Sequence, residues 1–143
     1  MWANDYVGLP FLDNGRSRST GVDCWGLYRL VLKERRGILL PAFDTIDSLN
    51  REAVVQTMAA ESNMNETWLP VPLDCADDYD CVLMRSVFSN RHGMLEGGSI
   101  HVGCFVAPRY VLHIEKKHDA VLQTVKNLED RITGIYRHKE LLR

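Results

Sequence analysis

The feature that most limits the fold of this chain is a change of hydrophobic pattern along it. In two segments before about residue 61 the apolar residues recur at the spacing of amphipathic helices. A connector with two prolines, Trp68–Asp78, follows, and beyond it the apolar residues form short segments typical of strands. Helices followed by antiparallel strands with short turns favour an α+β fold. The predicted strands are Asp80–Arg85, Ile100–Val106, Tyr110–Ile114, Ala120–Val125 and Ile132–His138.

Two helices are predicted before the connector. The first begins at Asp23 or Cys24, and Gly37 is suited to close it as a C-cap. The second runs from Ser48 to about Glu61, with Ser48 as its N-cap. The buried stripe of the first helix is marked by Leu27, Leu30 and Val31.

Length and composition indicate one globular domain spanning residues 1–143. Of the 143 residues, 45% are hydrophobic and 25% are charged, and the formal net charge is -2. A nucleic-acid-binding protein would need a basic face, so no nucleic-acid partner is predicted. Four arginines could form a local patch, although scattered solvated charges are the favoured interpretation: Arg16, Arg18, Arg35 and Arg36.

The chain lacks the marks of a membrane or secreted protein. It has no run of 18 apolar residues, so no membrane insertion is expected. Its first residues, Met1-Trp2-Ala3-Asn4-Asp5, lack the basic start and apolar run of a signal peptide. We therefore expect synthesis and folding in a cytoplasm.

The cysteines do not have metal-ligand spacing. No two of the four are placed as C-x-x-C, so neither zinc nor any other metal or cofactor is predicted. In a reducing compartment they stay thiols. Three of them, Cys75, Cys81 and Cys104, are interpreted as buried or half-buried filler.

Cys24 differs because a glycine-bearing loop leads it into the first turn of a helix. The unpaired N–H groups and the positive end of the helix dipole favour a thiolate there. The same N–H groups can stabilise the oxyanion that forms when a thiolate attacks a carbonyl. Cys24 is therefore the predicted nucleophile, against the alternative that it is a buried helix cysteine.

Two histidines are the predicted partners of that thiol. Alternation along a strand places His101 and Gly103 on one face, and His113 lies on the next strand. His101 is predicted as the general base, and His113 as the group that orients it. Each histidine taken alone could instead be structural.

The turn between their strands decides whether the rings can meet. A two-residue turn at Pro108-Arg109 would set Cys104 opposite His113 and place His101 on the other face. A three-residue turn, 107–109, would set Gly103 opposite His113 and make His101 its diagonal neighbour. An odd-length turn or a bulge is therefore predicted. The long loop Ser86–Ser99 could form a lid over the cleft.

Three segments together resemble the NlpC family of bacterial cell-wall cysteine peptidases: Asp23-Cys24-Trp25-Gly26-Leu27, His101-Val102-Gly103 and His113. The resemblance implies a papain-like α+β fold, with N-terminal helices packed on an antiparallel sheet of five to six strands. It also implies Cys24, His101 and His113 as catalytic residues. The reaction implied is cleavage of the γ-D-glutamyl–diamino acid amide bond in peptidoglycan stem peptides.

The resemblance also implies substrate contacts and partners. Asp23 would help to hold the free amine of the substrate, beside Trp25 and Phe11. Trp25 stands where many members carry serine, and Phe11 where many carry tyrosine, which leaves substrate choice open. Trp25 and the segment 37–41 resemble the bacteriophage-tail branch, which implies tail proteins as partners and a location in the virion tail.

Two other functions remain open at this stage. The chain could be a tail assembly or structural protein that keeps the fold without needing catalysis. It could also be a thiol acyltransferase or amidase, because a papain-like site can deliver an acyl group to several acceptors.

Overall fold

The computed structural model describes residues 1–41, 67–85 and 100–142. The predicted helix Ser48–Glu61 and the loop Ser86–Ser99 lie outside these residues. The described strands are β1 (Arg16–Ser17), β2 (Gly21–Val22), β3 (Trp68–Pro70), β4 (Cys81–Arg85), β5 (Ile100–Val106), β6 (Tyr110–His113), β7 (Val121–Thr124) and β8 (Ile132–His138). The described α-helices are α1 (Cys24–Arg36) and α2 (Val125–Leu128), and short 3-10 helices cover Trp2–Asp5, Leu73–Cys75 and Lys139–Leu142.

Six of the strands form one antiparallel sheet in the order β3-β8-β4-β5-β6-β7, and β1 pairs with β2 separately. The α+β prediction is confirmed, and the predicted strands are present with ends that differ by at most one residue. The connector prediction is wrong for Trp68–Pro70, which pairs with β8 at the sheet edge. An edge position tolerates the proline that made this segment look unlike a strand.

Helix α1 starts and stops where its capping residues predict. Asp23 has an extended backbone, and its carboxylate accepts a hydrogen bond from the N–H of Gly26, as an N-cap does. Gly37 ends the helix in the left-handed region at φ 67°, which glycine adopts without a steric penalty.

The large sheet has two buried faces. The face that packs against α1, here called the α1 face, carries Cys81, Leu83, Val102, Cys104, Val106, Leu112 and Ile114. The opposite face packs against α2 and carries Val82, Met84, Phe105, Val111 and Ile135. Because side chains alternate along a strand, His101 and Gly103 of β5 belong to the same face as Phe105, the opposite face.

Candidate active site

Cys24 is the first residue of α1, and only 5% of it is exposed. It belongs to the apolar cluster on the α1 face. The loop before it is packed tightly, because a Cβ atom on Gly26 would collide with the carbonyl oxygen of Gly15. This position at a helix N-terminus lowers the free energy of a thiolate relative to a thiol.

Asp23 has internal partners for both of its carboxylate oxygens. Oδ1 accepts from the Gly26 N–H at 2.7 Å and from the Arg16 guanidinium at 2.7 Å, while Oδ2 accepts from the Asn14 N–H at 3.2 Å. The residue is 1% exposed. Its contacts therefore hold the loop against the start of α1, and its binding of a substrate amine stays a prediction.

The two aromatic residues predicted to contact substrate differ in exposure. Trp25 is buried, and its indole Nε1–H donates to the carbonyl of Pro41 at 2.8 Å. Phe11 is half-buried and its backbone bridges to Val22. Substrate contact by either residue stays a prediction.

The turn between β5 and β6 has three residues, 107–109, as predicted. Val106 pairs with Tyr110 and Cys104 with Leu112, and this register brings Gly103 opposite His113. Glycine is needed at position 103, because a Cβ atom there would lie 2.6 Å from Cγ1 of Val111 and 3.3 Å from the Cβ of His113.

The register brings the two histidine rings into direct contact. Nε2 of His101 lies 2.8 Å from Nδ1 of His113, which is a hydrogen bond between two buried side chains. The rings meet edge to face, with 5.0 Å between centroids. The other ring nitrogen of His101, Nδ1, is also buried. The predicted pairing of His101 with His113 is thus confirmed as geometry.

Gln123 extends this contact and was missed by the sequence reasoning. Its Oε1 lies 2.5 Å from Nε2 of His113. It sits on β7, where Val121 pairs with His113 and Gln123 pairs with Val111, so it is the diagonal neighbour of His113 on the same face. A polar residue in a strand next to a histidine strand was the available signal, but the register of β7 was not predicted.

A half-buried ion pair lies beside the histidines. Oε1 of Glu115 is 2.6 Å from the Arg131 guanidinium, and it is 3.8 Å from Nε2 of His101 and 3.7 Å from Nδ1 of His113. Burial lowers the pKa of His113, an effect that the Gln123 hydrogen bond and the Glu115 charge oppose and the Arg131 charge reinforces. His113 is therefore neutral near pH 7.

These side chains also have the composition of a metal site. Ligand atoms of His101, His113 and Glu115 all lie within 4.8 Å of one another. The Arg131 guanidinium, however, already contacts the Glu115 oxygen that a metal would need. One of the three potential ligands is thus already paired with a guanidinium.

The outer end of the histidine pair borders a cavity of about 530 Å³. Its lining is mixed in charge and consists of His113, Glu115, His118, Asp119, Val121, Leu122, Gln123 and Arg131. His113 and Gln123 therefore meet beside a space large enough for solvent.

The remaining cysteines are separate from this site. Cys81 and Cys104 are buried and pair across β4 and β5, and burial raises the pKa of both thiols well above the usual range. These two fit the filler prediction. Cys75 does not, because it lies in an exposed 3-10 turn.

No protein-family model and no curated protein sequence matches the chain. Solved structures do match it. One is the NlpC/p60 domain of the peptidoglycan hydrolase SagA, with a TM-score of 0.60, 18% identity, and coverage of 94% of this chain and 92% of that one.

Two longer proteins also match. A Bacillus cereus ATCC 10987 NlpC/P60 family protein has a TM-score of 0.62, 18% identity and coverage of 95% of this chain. A Staphylococcus aureus subsp. aureus Mu50 protein described as similar to a lipoprotein of the NLP/P60 family has a TM-score of 0.59, 19% identity and the same coverage. The chain spans 37% and 38% of these two proteins. It therefore has the NlpC/P60 fold, as the sequence resemblance predicted.

Proposed function

We propose that the chain is an NlpC/P60-type cysteine peptidase that hydrolyses an amide bond in peptidoglycan stem peptides. Cys24 would be the nucleophile, His101 the general base and His113 the residue that orients it. The observation that carries the proposal is the 2.8 Å hydrogen bond between His101 and His113. It occurs in a fold shared with a peptidoglycan hydrolase domain that matches over 94% of this chain.

The reaction would proceed through a thioester. Nδ1 of His101 takes the thiol proton, because Nε2 of that ring is held by His113. The Cys24 sulfur then attacks the amide carbon, and N–H groups at the start of α1 stabilise the oxyanion. As the carbon–nitrogen bond breaks, Nδ1 returns its proton to the leaving amine. Water, deprotonated by Nδ1, then hydrolyses the thioester and regenerates the thiol.

The surroundings of His101 would stabilise the imidazolium formed when it accepts a proton. Its Nε2–H can donate to His113, and the Glu115 carboxylate lies 3.8 Å away. Arg131 holds that carboxylate in place and offsets part of its charge. An imidazolium is thus favoured by one hydrogen bond and one partly neutralised anion.

The two halves of the site belong to different faces of β5. Cys24 packs on the α1 face, whereas His101 belongs to the opposite face. His101 is the second residue of β5. The proposal therefore requires the Cys24 thiol and the His101 ring to meet around the N-terminal end of β5.

The bond and the setting form the finer part of the proposal. Cleavage between D-glutamate and the diamino acid rests on the resemblance of the Cys24, His101 and His113 motifs, with Asp23, Trp25 and Phe11 as proposed substrate contacts. A phage-tail location, with tail proteins as partners, rests on Trp25 and the segment 37–41. None of the helices in the described part of the chain has the length and hydropathy of a membrane span.

The test is the release of new amine ends from purified cell walls. The wild-type protein should release them, and Cys24→Ala should not. Cys75→Ala is the matched control, because it removes an exposed thiol far along the chain and should leave activity unchanged. Equal release by wild type and Cys24→Ala would refute the proposal.

The products identify the reaction class. Mass spectrometry of the released peptides locates the cleaved bond. If an added amine acceptor captures the acyl group in preference to water, the acyltransferase alternative is correct. If Cys24→Ala phage assemble and infect normally, the tail role does not require catalysis.

A further inference from the structure

We infer that Gln123 is a positioning residue that fixes the tautomers of both histidines and thereby leaves Nδ1 of His101 unprotonated. The inference rests on the proposed function for its catalytic meaning. Its structural basis is the chain of contacts from Gln123 Oε1 through His113 to His101, at 2.5 Å and 2.8 Å.

The tautomers follow from donor and acceptor matching. A neutral imidazole has one N–H donor and one acceptor nitrogen. Since the carbonyl oxygen of Gln123 can only accept, Nε2 of His113 must carry the proton, and its Nδ1 must be an acceptor. The contact at that Nδ1 then requires His101 to donate from Nε2. Only Nδ1 of His101 is left with a lone pair, and this is the atom that a general base uses.

Glu115 does not provide this control. Its Oε1 lies 3.7 Å and 3.8 Å from the two nitrogens that the histidines share, which exceeds hydrogen-bond distance. Its close partner is Arg131. Glu115 therefore acts on the histidines through its charge, whereas Gln123 acts through hydrogen-bond direction.

The cavity explains why a fixed acceptor is needed. His113 and Gln123 both line the space of about 530 Å³. Water there could donate as well as accept, and a water that donates to Nε2 of His113 would reverse both tautomers. Nδ1 of His101 would then hold the proton and could not take one from a thiol. The carbonyl oxygen of Gln123 excludes that state.

The test compares Gln123→Leu with Gln123→Glu. Leucine has a similar size but no hydrogen-bond acceptor. Glutamate keeps an acceptor oxygen, so Nε2 of His113 can still donate to residue 123 as it does in the wild type. The tautomer of each ring is read from NMR spectra at pH 7.5 that detect two-bond couplings between the ring protons and ring nitrogens of ¹⁵N-labelled histidines. We expect Nε2–H on both histidines in the wild type and in Gln123→Glu, and mixed tautomers in Gln123→Leu.

The kinetics should follow the spectra. In Gln123→Leu, kcat for cell-wall peptides should fall about tenfold, the effect of losing one well-placed hydrogen bond, with little change in KM. In Gln123→Glu, kcat should recover. Gln123 is half-buried, so both variants should fold, and thermal melting checks this.

Three outcomes separate the inference from the proposed function. Nδ1–H on His113 in the wild type would overturn the inference, as would unchanged tautomers and kcat in Gln123→Leu. If the tautomers are as expected but walls are cleaved equally by wild type and Cys24→Ala, the proposed function fails. The assignment of tautomer control to Gln123 then stands.

Discussion

Gly103→Ala should disrupt the histidine pair without altering either histidine. An added Cβ would lie 2.6 Å from Cγ1 of Val111 and 3.3 Å from Cβ of His113. Ordinary contacts begin near 3.4 Å, so Val111 would have to move by about 0.8 Å, and β6 carries His113 with it. Overpacking of this kind costs about 1–3 kcal/mol of unfolding free energy. We expect that loss in urea unfolding, together with reduced release of amines from cell walls.

A second substitution tests the steric reason. Val111→Ala removes the nearest of the atoms that the new Cβ would meet, so the double variant should lose less stability than the two single variants together. A coupling of about 0.5–3 kcal/mol is expected for residues in contact. Gly134→Ala is the matched control on β8, where the neighbour is the flexible ring of Tyr136 at 3.1 Å. Additive losses from Gly103→Ala and Val111→Ala would refute the reasoning.

Three further predictions concern stability. Burial lowers the pKa of His113 in the folded state, so below about pH 6.5 the unfolded state binds more protons than the folded state, and the free energy of unfolding should fall as pH drops. His113→Asn should reduce this dependence on pH in urea titrations between pH 7.5 and 5. Arg137→Ala leaves the buried Asp80 carboxylate without its two-point partner, and should cost about 3–5 kcal/mol of unfolding free energy, measured by urea titration at pH 7. Gly26→Ala forces a Cβ onto the carbonyl of Gly15, and should lower the melting temperature and displace Cys24; an unchanged melting temperature would contradict the packing described for this loop.

Local signals predicted the parts of the site that are near in sequence. Asp23 and Gly37 mark the ends of α1 because capping depends on a few adjacent residues. The contact of His101 with His113 was predictable because one short turn and the two-residue period of strands fix their register. Helix α1 and the β5–β6 hairpin contain all three residues proposed as catalytic.

Other parts of the site depend on contacts between distant segments. Gln123 reaches His113 because β7 pairs with β6, and Arg131 reaches Glu115 because the chain turns back after α2. No local sequence pattern predicts either of these arrangements. Strand β3 is stabilised by its pairing with β8, more than fifty residues away, and its proline argued against a strand. The exposure of Cys75 likewise depends on how the segment after β3 crosses the surface.

The most direct test of the central claim is the pH dependence of Cys24 alkylation in a Cys75→Ala background, which removes the exposed thiol. Iodoacetamide incorporation at Cys24, measured by peptide mass spectrometry, should titrate well below the value of about 8.5 for an isolated thiol. His101→Ala should move the titration upward, because the thiolate loses the imidazolium that His101 becomes on accepting the thiol proton. A titration at or above about 8.5 in both proteins would show that Cys24 is a buried helix cysteine and that the histidine pair does not activate it.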